Sequence, residues 1–202
     1  MSKPPTHGGA KVGEGMASIA EVIEVMKVQA RITLPLAVRR EIDRLRTEWN
    51  PERAIGNPAH ITVVYQDEAP DPAMLAERLQ QTAAQTAPFR LSLGQAARFA
   101  EPLGGAFLTV ADPSDAVAGI RASVLASPFT TRERFGLHVT LLHPEQGHRT
   151  ASAWPIFASL PLLGEFEVTE LQLVGPDNAV LANFPLIPNT KLGPVVQDSP
   201  SS

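Results

Sequence analysis

The chain has no cysteine, and this absence removes several kinds of chemistry at once. Without a thiol, the protein can form no disulfide, no thiolate metal site and no cysteine nucleophile. Long hydrophobic runs are also missing, since no segment approaches the roughly 20 apolar residues that a membrane-spanning helix needs. The N-terminus has charges and glycines where a signal peptide would have an apolar core. We therefore expect a cytoplasmic protein without a membrane partner.

An excess of positive charge is the second absence. The chain has 17 Lys and Arg residues against 21 Asp and Glu, which gives a net charge of −4. Such a protein has no broad basic surface to hold long nucleic acid electrostatically. A small nucleotide or an RNA end is a better partner than a duplex, and we expect the protein to be a monomer.

The chain has a composition and length suited to one folded domain between two tails. Its 202 residues suffice for one sizeable core. Residues 1–22 and 189–202 are rich in Pro, Gly and Ser, so we expect flexible tails around a single domain at 23–188. Periodicity and turn signals predict strands at 26–34, 60–65, 89–93, 107–110, 137–143, 165–174 and 179–186, and helices at 36–49, 72–86, 113–125 and 150–160.

Two short segments repeat one pattern, His60-Ile61-Thr62-Val63 and His138-Val139-Thr140-Leu141. On a β-strand, side chains alternate between faces, so each histidine and its threonine point one way and the aliphatic residues point into the opposite layer. If the two strands lie together, the site holds two imidazoles that can trade protons near neutral pH and two hydroxyls that can bind an oxyanion. The repeat therefore predicts phosphoester chemistry without a metal ion.

A chance or structural origin of the repeat is the alternative. A lone His-x-Thr segment is more often a structural histidine, hydrogen-bonded in the core or at a strand edge. Two such segments in a chain with only five histidines are improbable by coincidence. The threonines depend on the histidines beside them, because β-propensity alone already places threonine in strands.

On these two motifs, the sequence resembles the 2H phosphoesterase superfamily, which is named for paired His-x-Thr/Ser-x motifs and includes the bacterial 2′,5′ RNA ligase-like proteins. The likeness covers about residues 26–187. An apolar strand leads through Leu34-Pro35-Leu36 into an amphipathic helix, and Pro58-Ala59-His60 follows a short linker, in the order that this family shows. The Phe107–Val110 and Phe166–Leu171 segments are similar to its later elements.

This resemblance implies an α+β fold with two pseudo-symmetric lobes of antiparallel sheet, flanking helices and a central cleft that holds one motif from each lobe. It implies a phosphodiesterase that opens a 2′,3′-cyclic phosphate at an RNA end or on a small nucleotide, with a 2′-phosphate product, or a reversible 2′,5′ ligase. His60 and His138 act as general base and acid, in an order left open, and Thr62 and Thr140 bind the phosphate. The alternative is a non-catalytic module on the same fold that binds a nucleotide or an RNA end.

One substrate-binding candidate follows each motif. Tyr65 is placed either to stack on a base or to fill the core. His143 stands five residues after His138, where many family members have an arginine that contacts phosphate. Strand alternation turns Tyr65 and His143 away from the motif side chains unless the strand ends twist or bulge.

Positive charge at the cleft mouth has four candidates. Arg132 and Arg134 lie just before the second motif strand, and Lys27 and Arg31 lie on the polar face of the first strand. Solvated surface charge is the interpretation that we favour for each. We include Arg134 among the substrate-binding residues.

The pattern predicts no metal and no cofactor. Imidazole is a common metal ligand, yet neither motif brings a second histidine or a carboxylate to ligand spacing within its strand.

Overall fold

The computed structural model describes residues 27–133 and 135–187. The predicted tails, 1–22 and 189–202, therefore lie wholly outside the described residues, and so does Arg134. The strands are β1 Gln29–Thr33, β2 His60–Val64, β3 Phe89–Arg98, β4 Ala106–Ala111, β5 His138–Leu142, β6 Gly164–Val168, β7 Glu170–Val174 and β8 Val180–Pro185. The α-helices are α1 Leu36–Trp49, α2 Pro51–Ala54, α3 Pro72–Ala83, α4 Ala116–Val124 and α5 Thr150–Ala158, with 3₁₀ helices at Pro144–Arg149 and Pro176–Asn178.

The strands form one antiparallel sheet in the order β6-β3-β4-β5-β2-β1-β7-β8. Each half of this order has four strands, with a motif strand, β5 or β2, innermost. The α+β fold with pseudo-symmetric antiparallel halves is confirmed. The two halves are nevertheless joined into a single sheet, because β2 pairs with β5 through Ile61 opposite Val139. The two motifs consequently lie side by side.

The predicted strand at 165–174 is wrong as one element. Phe166 and Val168 are buried in β6, which pairs with β3, whereas Leu171 and Leu173 are buried in β7, which pairs with β1 at the other end of the sheet. The step from 168 to 171 shifts the alternation by one residue, which an uninterrupted strand cannot do. The chain crosses from one half of the sheet to the other at Thr169.

An Asp-Pro pair, Asp71-Pro72 or Asp112-Pro113, stands at the start of two predicted helices, and the two pairs behave differently. Asp71 caps α3 through a hydrogen bond from the Met74 backbone N–H (2.9 Å), as its sequence predicts. The helix predicted to open at Pro113 instead begins at Ala116. The Asp112 carboxylate accepts hydrogen bonds within the preceding turn and from the Val117 N–H (2.8 Å), which delays the helix by one turn.

The core lies on the face of the motif strands opposite the histidines. Ile61, Val63, Val139 and Leu141 are fully buried there. Helix α1 begins and ends where its stripe predicts, and it contributes Ile42 and Leu45 to the same core. The core face therefore leaves the polar face of β2 and β5 free for other contacts. Within the described ranges, no helix is long and apolar enough to cross a membrane.

Candidate active site

The motif side chains are arranged as the strand alternation predicts. In both β2 and β5, the histidine and threonine are partly exposed and the next residue of each is buried. His60, Thr62, His138 and Thr140 all line one open cleft of about 480 Å³. Ligand sites typically occupy about 300–1,000 Å³, so this cleft has room for a nucleotide.

The two imidazoles are held in the same way. The Nδ1 atom of His60 lies 2.8 Å from the carbonyl oxygen of Pro58, and the Nδ1 atom of His138 lies 2.8 Å from that of Gly136. Because a carbonyl oxygen only accepts hydrogen bonds, each Nδ1 carries a hydrogen. In the neutral ring, Nε2 is then the free acceptor, and the same atom is a donor once the ring is protonated.

The residues that stand opposite the two motifs on the neighbouring strands are the same type at the histidine position and differ at the threonine position. Thr33 of β1 stands opposite His60, and Thr109 of β4 stands opposite His138. At the threonine positions the partners differ: Arg31 stands opposite Thr62, and Phe107 stands opposite Thr140. One motif therefore has a cation beside it where the other has an aromatic ring.

Arg31 is buried, with only 2% of its surface exposed, so its interpretation as a solvated surface charge is wrong. Strands β2 and β7 pair with β1 on its two sides, and they place Thr62 and Gln172 opposite Arg31. The guanidinium donates hydrogen bonds to Gln172 Oε1 and Asn57 Oδ1, both at 3.3 Å. Among the described residues, it forms no ion pair with a carboxylate. Lys27, by contrast, is exposed.

The surroundings of His60 keep its ring neutral. Burial lowers the pKa of His60 to about 4, and the positive charges of Arg31 and Arg46 act in the same direction. The hydrogen bond to Pro58 opposes this shift without cancelling it. At neutral pH the ring is therefore ready to accept a proton.

The surroundings of His138 are aromatic. The ring centroids of Phe99 and Phe107 lie 5.5 and 5.4 Å from that of the imidazole, both edge-on. Such contacts fix the orientation of a ring without adding charge. The geometry of the two histidines thus matches while their electrostatic environments differ.

Tyr65 and His143 both line the cleft. Strand β2 ends at Val64 and β5 at Leu142, so each residue lies one position beyond its strand, where alternation no longer dictates direction. Burial lowers the pKa of His143, and the nearby charge of Arg53 lowers it further.

Arg132 stacks on Tyr65 in the cleft wall. Its guanidinium carbon lies 3.8 Å from the Tyr65 ring centroid, and its Nη2 atom lies 2.7 Å from an Asp67 carboxylate oxygen. A stacked guanidinium and phenol form a flat surface of the kind that receives a nucleobase. Arg132 is thus placed at the cleft, as the charge pattern before the second motif indicates.

A buried ion pair supports this wall. Glu68 is 1% exposed and accepts hydrogen bonds from Arg121 Nη2 (2.6 Å), the Tyr65 backbone N–H (2.9 Å) and the Arg132 backbone N–H (3.0 Å). One carboxylate therefore anchors both members of the stack. Sequence reasoning missed Glu68 and Arg121, because nothing in the pattern distinguishes buried charges from surface ones.

Sequence reasoning also missed the residues at the other end of the cleft. Arg46, Asn50, Arg53 and Asn57 line it there. Arg46 is 3% exposed, whereas the charged residues of an amphipathic helix are expected on its solvated face. Its place next to Leu45, on the buried stripe of α1, is the signal that identifies it.

Comparison with known proteins identifies the family of the chain. The family model described as the 2′-5′ RNA ligase superfamily matches residues 34–179, which is well over half of the chain. The chain belongs to this superfamily. The resemblance to the 2H phosphoesterases is thereby confirmed. No curated protein gives a significant match to the chain.

Solved structures share the fold of this superfamily member. A phosphoesterase has 21% identity and a TM-score of 0.56, over 80% of this chain and 98% of its own. The protein TT0787 of Thermus thermophilus has 21% identity and a TM-score of 0.55, over 81% and 100% of the two chains. Escherichia coli LigT complexed with NADP+ has 19% identity and a TM-score of 0.56, over 81% and 98%. At such identities the likeness concerns the fold.

Proposed function

We propose that this protein is a metal-independent phosphodiesterase that hydrolyses a 2′,3′-cyclic phosphate at an RNA end or on a small nucleotide. The observation that supports this most strongly is the matched pair of imidazoles in one cleft, each held through Nδ1 by a carbonyl oxygen at 2.8 Å. Hydrolysis of a cyclic ester needs two proton transfers, and the cleft offers one ring for each.

In this reaction a water oxygen attacks phosphorus while one histidine takes the water proton. The bond from phosphorus to the 3′ oxygen breaks, and the other histidine gives its proton to that oxygen. The product is a 2′-phosphate monoester with a free 3′ hydroxyl. With a 5′ hydroxyl in place of water as the nucleophile, the same step joins two strands through a 2′,5′ linkage and leaves a free 3′ hydroxyl. In the reversal of that step, which cleaves the linkage, the two rings exchange roles.

The different surroundings of the rings divide the two tasks. A base must enter the reaction neutral, and the low pKa of His60 provides this state at neutral pH. We assign His60 as the base that activates water and His138 as the acid that protonates the departing oxygen.

The threonines bind the phosphate. Thr62 and Thr140 point to the same face as the histidines, and their hydroxyls can donate to the two non-bridging oxygens. The buried guanidinium of Arg31 opposite Thr62 adds a fixed positive charge for the developing negative charge of the transition state.

The cleft walls suit a nucleotide. The Tyr65–Arg132 stack offers a platform for a base, and His143 lies at the end of β5 as a second polar contact. Structures of E. coli LigT, a relative by fold, contain NADP+, 3′-AMP and ATP. Nucleotide binding by that protein is consistent with a nucleotide substrate here.

The direct test follows phosphorus by ³¹P NMR. The purified protein is incubated in EDTA with 2′,3′-cyclic AMP and with a short RNA that ends in a 2′,3′-cyclic phosphate. We expect the cyclic signal to convert to a 2′-monoester signal, and the His60→Ala/His138→Ala variant to leave it unchanged. Binding of both compounds without conversion would contradict the hydrolase and favour the binding module.

A further inference from the structure

One end of the cleft contains polar groups that the two motifs do not use. Asn50 follows the last residue of α1, is 1% exposed and lines the cleft. Within the described residues, neither its side-chain oxygen nor its side-chain nitrogen has a hydrogen-bond partner. Buried amides are almost always paired, so an unpaired one beside a cleft indicates a missing partner.

Arg46 lies one helical turn before Asn50 and is also incompletely paired. Its Nη1 and Nη2 atoms donate to the carbonyl oxygens of Asn57 (2.8 Å) and Arg53 (3.3 Å). The nearest carboxylate, that of Asp43, is 3.6 Å away, and the Nε atom has no partner within the described residues. Burial lowers the pKa of Arg46, and the nearby Asp43 carboxylate opposes this shift.

Arg53 supplies a second guanidinium at the same end, and it is accessible. About half of its side chain is exposed, and it forms a forked ion pair with Glu145, at 2.5 Å from Oε1. Glu145 belongs to the 3₁₀ helix that follows β5, so this pair spans the two halves of the sheet. An exposed carboxylate in this position can be replaced by a bound anion.

We propose that Arg46, Asn50 and Arg53 form a subsite for a second phosphate group of the substrate, apart from the cyclic ester. The inference rests on the proposed nucleotide substrate and specifies it as one that has a further phosphate, as a 5′-phosphorylated nucleotide does. The site is rich in N–H donors: Arg46 lies 3.6 Å from the Asp43 carboxylate, the half-exposed Arg53 pairs with Glu145, and the Asn50 amide has no partner among the described residues. A phosphate accepts from both arginines and from the Asn50 amide, and it competes with Glu145 for Arg53.

Two variants should change phosphate affinity in opposite directions. This result would distinguish phosphate binding by Arg53 from a purely structural role of the Arg53–Glu145 ion pair. Arg53→Gln removes a phosphate ligand and weakens the subsite. Glu145→Gln removes its competitor and strengthens it. If the ion pair only braced the two halves, both variants would act in the same direction. Arg44→Gln is the matched control, because Arg44 is an exposed, ion-paired arginine of α1 that does not line the cleft.

The test measures dissociation constants by calorimetry for adenosine 2′-monophosphate and adenosine 2′,5′-bisphosphate. We expect wild type to bind the bisphosphate at least about tenfold more tightly, as charge-assisted hydrogen bonds to a guanidinium imply. Arg53→Gln should abolish most of this advantage, Glu145→Gln should increase it, and Arg44→Gln should leave it unchanged.

Equal affinity of wild type for the two nucleotides, or no binding of either, would overturn the subsite. A loss of the advantage in both Arg53→Gln and Glu145→Gln would overturn it as well. Binding and hydrolysis are measured separately here. An advantage for the bisphosphate without ring opening would leave the subsite standing and contradict the hydrolase, whereas ring opening without the advantage would do the reverse.

Discussion

The two motif strands have the same backbone and different neighbours. Each histidine is held by a carbonyl oxygen two residues earlier, and the two strands have the same order of buried and partly exposed residues. Beside Thr62, however, stands the buried cation Arg31, and beside Thr140 stands Phe107. Acid–base catalysis needs one neutral and one protonated ring. The comparison teaches that the repeated motif supplies two equivalent rings and that the adjacent strands make their surroundings unequal.

Removal of either imidazole is the largest expected disruption of this pair. His60→Ala and His138→Ala should each lower kcat/KM by at least about a hundredfold, the usual scale of general acid–base catalysis. Initial rates with 2′,3′-cyclic AMP measure the effect. His148→Ala is the control, because His148 is exposed and does not line the catalytic cleft. Retention of full activity by either catalytic variant would contradict the assignment.

The pH dependence tests which ring is the base. His60 must be unprotonated to accept a proton, and its pKa is lowered to about 4. Activity should therefore not fall as the pH drops from neutral to about 5, and it should fall at lower pH, approaching tenfold per unit as His60 is protonated. The measurement is kcat/KM from about pH 3.5 to 8, corrected for unfolding. A fall that already begins near pH 6.5, the value of an unperturbed histidine, would contradict the role of His60.

Substitution of Arg31 tests the source of the inequality. Arg31→Met removes a buried positive charge, so the pKa of His60 should rise and the acid limb of the profile should move to higher pH. Loss of a fixed charge near the phosphate should also lower kcat at neutral pH by about tenfold. Lys27→Met removes an exposed charge near the same strand and should change neither quantity. An unshifted acid limb in Arg31→Met would show that burial alone sets the pKa.

The threonine pair should have a smaller effect than the histidines. Thr62→Val and Thr140→Val each remove one hydrogen bond to phosphate and preserve shape, so we expect a loss of about tenfold in kcat/KM. The two losses need not be equal, because only Thr62 has a guanidinium opposite it. A hundredfold loss in either variant would mean that the hydroxyl does more than bind an oxygen.

The smallest expected effect is that of a chelator. Turnover after dialysis against EDTA should equal that of the untreated protein, and added Zn²⁺ or Mg²⁺ should not raise it. Loss of turnover in EDTA with recovery in Zn²⁺ would show that the two histidines act as metal ligands.

The sequence predicts the helices and strands better than it predicts which strands pair with each other. Helix α1 and the motif strands follow directly from periodicity, because each buries one face. Periodicity does not predict the break at Thr169, because only this one residue separates β6 from β7 and the alternation shifts by a single position there. Strand pairing is a non-local property that local patterns do not encode.

In the site, too, the sequence predicts what depends on local pattern and does not predict what depends on long-range packing. The repeated motif locates the two histidines and threonines, and the ends of the strands explain why Tyr65 and His143 reach the cleft. The burial of Arg31 cannot be deduced from local sequence, because its hydrogen-bond partners are Gln172 of β7 and Asn57. Long-range packing converts ordinary surface residue types into buried charges.

The most direct test of the central claim is a double-mutant cycle on His60 and His138, measured as single-turnover opening of 2′,3′-cyclic AMP in EDTA. Two rings that work in one acid–base step act as a unit, so the double alanine variant should lose little more activity than either single variant. Independent losses that multiply in the double variant would contradict a shared step, and so would an active double variant.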